Sequence, residues 1–205
     1  MKALGIKVKN IVWDLDGTLF DTWDLHIQTV KEIYCLCYRE KISTLKILRK
    51  QDNNLLKTLN NIFVEEKLEE ILSQYRLITK KIINDGYLFD KLNIKAVFEE
   101  NFGKEKGVQL ELITGRDYFT TDLILEKYGI KHFFNKIICS ENLQFEKSKY
   151  LEESKNKYNN WIYVTDSMVE KKQLEKYFKD IILVNWFKEN DESYVAEKME
   201  EIIYG

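Results

Sequence analysis

Proline is missing altogether from this chain of 205 residues. Its loops must therefore be punctuated by glycine, asparagine and aspartate, which leaves element boundaries soft. Cysteine is scarce. Cys35, Cys37 and Cys139 form no CxxC pair, and the first two lie two apart on a helical stretch, where they point in different directions. This excludes a disulfide framework and a structural zinc site. Charge of one sign is lacking too, since 32 basic against 34 acidic residues leave a formal net charge of −2. No global basic field recruits nucleic acid or an anionic membrane. No long apolar run occurs, and residues 1–5 lead into Lys7 and Lys9. Neither a secretory signal nor a membrane span is expected, and a reducing cytoplasm is the default compartment. No internal repeat or low-complexity tract is seen.

What is present is enough apolar matter, 44% of the chain, to bury one sizeable core and a small accessory lobe. From about 22 to 84 there is no glycine, and apolar residues recur at helical spacing, as in Leu68, Ile71, Leu72, Tyr75, Ile78 and Ile82. This helical block interrupts an alternation of strands and helices. Strands are expected at the Ile11–Val12–Trp13 run and near 108–114, 136–139, 161–165 and 181–185. Helices are expected near 88–102, 118–128, 148–157, 168–177 and 194–203. Such alternation predicts an α/β fold, a Rossmann-like parallel sheet of about five strands flanked by helices. Residues 1–20 and 86–205 form the expected core, and 21–85 the insertion over the carboxyl end of the sheet.

The chemistry-bearing residues sit where that sheet would place them, at strand ends. Asp14 and Asp16 follow the first strand and precede Gly17 and Thr18. Two carboxylates so close are costly unless a cation or a proton satisfies them, which points to a metal-assisted site. Thr114, Gly115 and Arg116 follow a second strand, and Asp166 and Glu170 a third, with Glu146–Tyr150 between them. Ligands of open parallel sheets bind outside the carboxyl ends of the strands.

Aspartate pair, hydroxyl, lysine and acids, in that order along the whole chain, resemble the haloacid dehalogenase superfamily, mostly Mg2+-dependent phosphohydrolases. The first motif matches the family's DxDGT form at Asp14, Asp16, Gly17 and Thr18. Thr165 stands where glycine is usual, and Glu170 where the second acid is usually aspartate. The resemblance implies an α-helical cap in the insertion and an aspartyl-phosphate on Asp14, with Asp16 as acid and then base. It implies Mg2+ held by Asp14, Asp166 and the backbone carbonyl of Asp16, with Glu170 as an outer acid. Thr114, with the amides of Gly115 and Arg116, would take phosphoryl oxygens. Lys147 fits the cationic role, preceding Ser148 as an expected helix N-cap, and Lys149 is the runner-up.

The expected function is removal of phosphate from a small phosphorylated metabolite, with oligomeric state open. Hydrolytic dehalogenation is disfavoured by the acid/base at Asp16. A phosphomutase, or a degenerate member that binds a phospholigand or a protein, is the alternative, the last resting on Thr165 and Glu170. A lone histidine such as His26 is more often packed or solvent-facing than a substrate contact. Arg39, Lys41, Arg49 and Lys50 read as a solvated face, and Tyr34, Tyr38 and Tyr75 as core of the cap.

Overall fold

The computed structural model describes residues 10–204 except 53, 91, 103–106, 143–145, 155–156, 186 and 188–191. Lys7 and Lys9 lie outside the described residues. The chain runs β1 (Asn10–Trp13), α1 (Trp23–Tyr38), α2 (Thr44–Lys50), α3 (Leu55–Ile62), α4 (Leu68–Asn84), α5 (Ile94–Phe102), β2 (Gln109–Ile113) and α6 (Tyr118–Lys127). It continues with β3 (Lys136–Ile138), α7 (Lys147–Glu153), β4 (Ile162–Thr165), α8 (Met168–Leu174), β5 (Asp180–Leu183) and α9 (Glu192–Tyr204).

The strands form one parallel sheet in the order β3-β2-β1-β4-β5. Alternate side chains face opposite layers, as strand geometry requires. Ile11, Trp13, Leu110, Leu112, Ile162 and Val164 join the larger core with α1, α4, α5, α6 and α9. Val12, Ile113, Tyr163 and Ile181 join the smaller one, against Leu151 of α7 and Leu174 of α8. One position in this sandwich is ionic. Glu111 of β2, on the side of the smaller core, accepts from Lys157 Nζ at 2.7 and 2.9 Å and from Tyr158 Oη at 2.9 Å.

Helices α1 to α4 follow β1 as a block. Thr29 of α1 meets Thr79 of α4 at 3.3 Å between hydroxyls, and Ile33, Leu59, Tyr75 and Ile78 share one core. Asn54 caps α3 by accepting from the amides of Leu56 and Lys57. Two expected starts move. The helix expected from 88 begins at Ile94, because the Asp90 carboxylate takes the amides of Leu92 and Ile94 and starts the helix there. Glu146, not Ser148, is the N-cap of α7, so Lys147 is its first residue. The helices expected to run to 157 and 177 end at Glu153 and Leu174.

Candidate active site

Strand order reverses on either side of β1, so β1 and β4 flank the switch point of the sheet, where a crevice opens. Asp14 leaves β1 there, its amide bonded to Val164 O at 2.9 Å, and Asp166 leaves β4 beside it. The turn after Asp14 is tight. Gly17 has φ +77°, and a Cβ built on it would lie 2.7 Å from Asp166 Cγ, so only glycine lets that carboxylate reach over the turn. Thr18 Oγ1 accepts from the Asp166 amide at 3.0 Å and fixes the same approach.

Lys147, from the first turn of α7, donates to Asp14 Oδ1 at 2.7 Å and to Tyr163 Oη at 3.0 Å. It also pairs with Glu170 Oε1 at 2.7 Å, and the side chains of Lys147, Asp14 and Glu170 are all under one-tenth exposed. Glu170 Oε2 accepts from Tyr163 Oη at 2.8 Å and Thr165 Oγ1 at 3.0 Å. The two departures from the family pattern are therefore bonded partners: the hydroxyl of Thr165 anchors the longer acid at 170. Lys149 is exposed on α7.

Burial pushes Asp14 well above the usual carboxylate range, with Lys147 opposing and Glu170 and Asp166 adding to the push. Asp166 is likewise raised by burial and by Glu170. Burial works against the charge of Lys147, but Asp14 and Glu170 outweigh it and hold the ammonium protonated. One ammonium is thus shared by two carboxylates with a third, Asp166, close by, and the local charge balance favours a further cation.

The second aspartate has a different partner. Arg116, 5% exposed, donates through Nη2 to Asp16 Oδ1 at 2.6 Å and through Nε at 3.0 Å. Thr22 Oγ1 also donates to Asp16 Oδ1. Burial would raise Asp16, yet the Arg116 guanidinium outweighs it and keeps the carboxyl below its ordinary range. Arg116 continues to Tyr75 Oη at 3.4 Å from Nη1, and Tyr75 Oη lies 3.0 Å from His26 Nδ1. Thr114 is fully buried, its hydroxyl accepting from the Arg116 amide at 3.1 Å and facing Asp16 Oδ2 at 3.5 Å. The amide of Arg116, expected to point at substrate, is taken by Thr114.

Asp14, Asp16, Arg116, Lys147, Asp166 and Glu170 line a cavity of about 600 Å3 between the strand ends and the helical block, and Thr114 lies behind its wall. Asp14, Asp16, Gly115, Arg116, Lys147 and Asp166 form its floor. Trp23, His26, Gln51, Asp52 and Tyr75 bring the block to it, whereas Arg39, Lys41, Arg49 and Lys50 stand away from it. Tyr75, expected in the core of the cap, and His26, expected to be packed or solvent-facing, are both buried and also wall the cavity. Periodicity marks their helices and not their polar tips.

Among the described residues no group of three or more His, Cys, Asp or Glu side chains is arranged to hold a metal ion. Asp166 reaches over the missing Cβ of Gly17, and its charge acts on Asp14; two such carboxylates are oxygen donors that suit Mg2+. Glu170 spends its oxygens on Lys147, Tyr163 and Thr165.

Fold and site together define an α/β protein with its polar centre at the carboxyl ends of β1, β2 and β4. The haloacid dehalogenase-like hydrolase family model matches residues 11–172, and the chain belongs to that family. No curated protein sequence matches it. Its fold is similar to CbbY from Rhodobacter sphaeroides in complex with phosphate, with TM-score 0.68, 14% identity, and 86% of this chain and 87% of that one covered. A predicted phosphoglycolate phosphatase from Haemophilus somnus 129pt gives 0.65, 18%, 86% and 84%. A subfamily IA hydrolase from Geobacter sulfurreducens PCA gives 0.56, 18%, 86% and 87%. At such identities the likeness is one of fold.

Proposed function

We propose that the chain is a Mg2+-dependent phosphatase that removes phosphate from a small phosphorylated metabolite through an aspartyl-phosphate on Asp14. The observation that carries this reading is the buried Lys147 ammonium, 2.7 Å from both Asp14 Oδ1 and Glu170 Oε1, beside a nucleophile at the switch point. An oxyanion such as a phosphoryl group needs its charge neutralised before a carboxylate attacks.

In the first step Asp14 Oδ forms a bond to phosphorus as the ester P–O bond breaks, and Asp16 gives its proton to the leaving oxygen. In the second, water loses a proton to Asp16 and attacks the acyl phosphate, releasing phosphate and Asp14. Lys147, Arg116 and the Gly115 amide face the phosphoryl oxygens, Thr114 holds the loop that presents them, and Glu170 orients Lys147. Asp14, Asp166 and the Asp16 carbonyl would hold Mg2+, which supplies positive charge to the transferring group when bound. In the substrate-free protein Arg116 keeps Asp16 ionised, the state the second step uses; when a phosphoryl oxygen draws Arg116 away, Asp16 takes up a proton from water, and this is the proton it gives in the first step.

Residues 21–85 act as a helical cap over a core of 1–20 and 86–205. The protein works in the cytoplasm on a small molecule, with no nucleic acid or membrane partner. Among the described residues no helix is long and apolar enough to cross a membrane. The binding-module alternative rested on Thr165 and Glu170, and their mutual bond supports an intact site instead.

The test is phosphate release from an activated aryl phosphate, nucleotides and sugar phosphates, with Mg2+ or chelator, for wild type and Asp14→Asn. Magnesium-dependent release that drops at least about 1,000-fold in the variant is expected. Wild-type rates in Asp14→Asn, with contaminating phosphatase excluded, would show the covalent route to be wrong.

A further inference from the structure

An ammonium carries three protons, and three oxygens stand ready for those of Lys147: Asp14 Oδ1 at 2.7 Å, Glu170 Oε1 at 2.7 Å and Tyr163 Oη at 3.0 Å. Two of the acceptors are carboxylates. The third is a neutral phenol to which the proposed reaction gives no part. An ammonium only donates, so the phenol oxygen accepts from Lys147, and its own proton goes to Glu170 Oε2, 2.8 Å away. Burial and the neighbouring Glu170 push the phenol well above its ordinary range, so it keeps that proton. The direction of every bond around Nζ is therefore fixed.

The phenol is also fixed in space. Tyr163 lies within β4, fully buried, with its ring stacked on Phe178 at 4.9 Å between centroids and 23° between planes. Its strand is paired on both sides, to β1 and to β5, and β1 is the strand that Asp14 leaves. Glu170 reaches Lys147 from α8 on a longer side chain, and it is steadied through its other oxygen by Tyr163 and by Thr165 Oγ1 at 3.0 Å. With two protons of Lys147 held by Tyr163 and Glu170, the third points at Asp14, where a phosphoryl group would arrive.

Resting on the phosphatase reading, we infer that Tyr163 is a positioning residue: its hydroxyl, with Glu170 Oε1, holds two protons of Lys147 so that the third stays aimed at Asp14 and at the phosphoryl group it receives. The hydroxyl never touches substrate. Its effect is on the aim of the ammonium, which counts most as charge develops on the phosphoryl oxygens.

Tyr163→Phe deletes the hydroxyl and keeps the ring that packs on Phe178. With p-nitrophenyl phosphate and Mg2+, kcat is expected to fall about 10- to 100-fold while KM stays within about 2-fold. Thr165→Val removes a bond to Glu170 and none to Lys147, and should lose much less. An unchanged kcat in Tyr163→Phe, a loss confined to KM, or equal losses in the two variants overturns the inference. A wild type that releases no phosphate from p-nitrophenyl phosphate sinks the phosphatase reading instead.

A second readout uses the wild-type protein and needs neither turnover nor a Tyr163 variant that folds. The Lys147 ammonium should give a slowly exchanging 1H–15N signal, identified by its loss in Lys147→Arg, with a nuclear Overhauser contact to the Tyr163 ring. Tungstate, a tetrahedral oxyanion, should shift that signal and leave the contact to Tyr163 in place. An ammonium without the contact, or one that loses it when tungstate binds, overturns the proposal.

Discussion

Asp14 and Asp16 are two residues apart and driven in opposite directions. At the Asp14 end one ammonium is divided between Asp14 and Glu170, with Asp166 close by, and the carboxyl is pushed up. At the Asp16 end a whole guanidinium serves one carboxylate, and the carboxyl is held down. Burial raises both. What separates them is the number of acids each cation must satisfy, so a motif with two like residues acquires two unlike roles from its neighbours.

The comparison can be broken most directly by removing each cation. Lys147→Met strands two buried carboxylates and should cost about 3–5 kcal/mol in urea unfolding without metal. Arg116→Met should cost less, roughly 1–3 kcal/mol, because the Asp16 side chain is 37% exposed and water can take over. An Arg116→Met loss equal to or above that of Lys147→Met would show that sharing is not what distinguishes the ends.

A pH series sharpens the Asp16 end. His26 is held neutral down to about pH 4 in the folded protein, whereas an unfolded histidine titrates near ~6.5. Between these values the unfolded chain binds a proton that the folded one does not, so stability falls as pH falls and is unaffected by this group above about 6.5. The total is on the order of 3 kcal/mol. Relative to wild type, His26→Gln should flatten thermal stability across that window, and parallel curves would refute the assignment.

The smallest effect tests the Asp14 end. Thr165→Val removes the hydroxyl 3.0 Å from Glu170 Oε2 and should cost about 1 kcal/mol. In Glu170→Ala the same change should cost measurably less. Additive losses in a double-mutant cycle would mean that the two departures are unrelated.

The two ends also differ in how far the sequence discloses them. Asp14, Asp166, Glu170 and Lys147 are legible because each falls at the end of a strand or the start of a helix, where topology directs side chains to one crevice. The five strands are legible for the same reason, as short apolar runs between helical stretches. The chain from Asp16 to His26 is not, because Arg116 meets Asp16 across 100 positions and Tyr75 across 41. A helical period tells which residues face inward, and nothing about which hydroxyl will meet which nitrogen. The start of α5 escaped for a local reason: the Asp90 side chain takes amides that apolar spacing alone would assign to a helix.

The ion pair of Glu111 with Lys157 has a consequence far from its own position. Strands can slide past one another by a residue, and here such a slip of β2 would turn the carboxylate into the layer of Trp13, Phe98 and Phe102. A stranded charge among aromatic rings is costly enough to forbid it. Glu111 and Lys157 thus work as a ruler for β2: they count three residues along the strand and set Thr114, and the Arg116 that follows it, at the height of the aspartates.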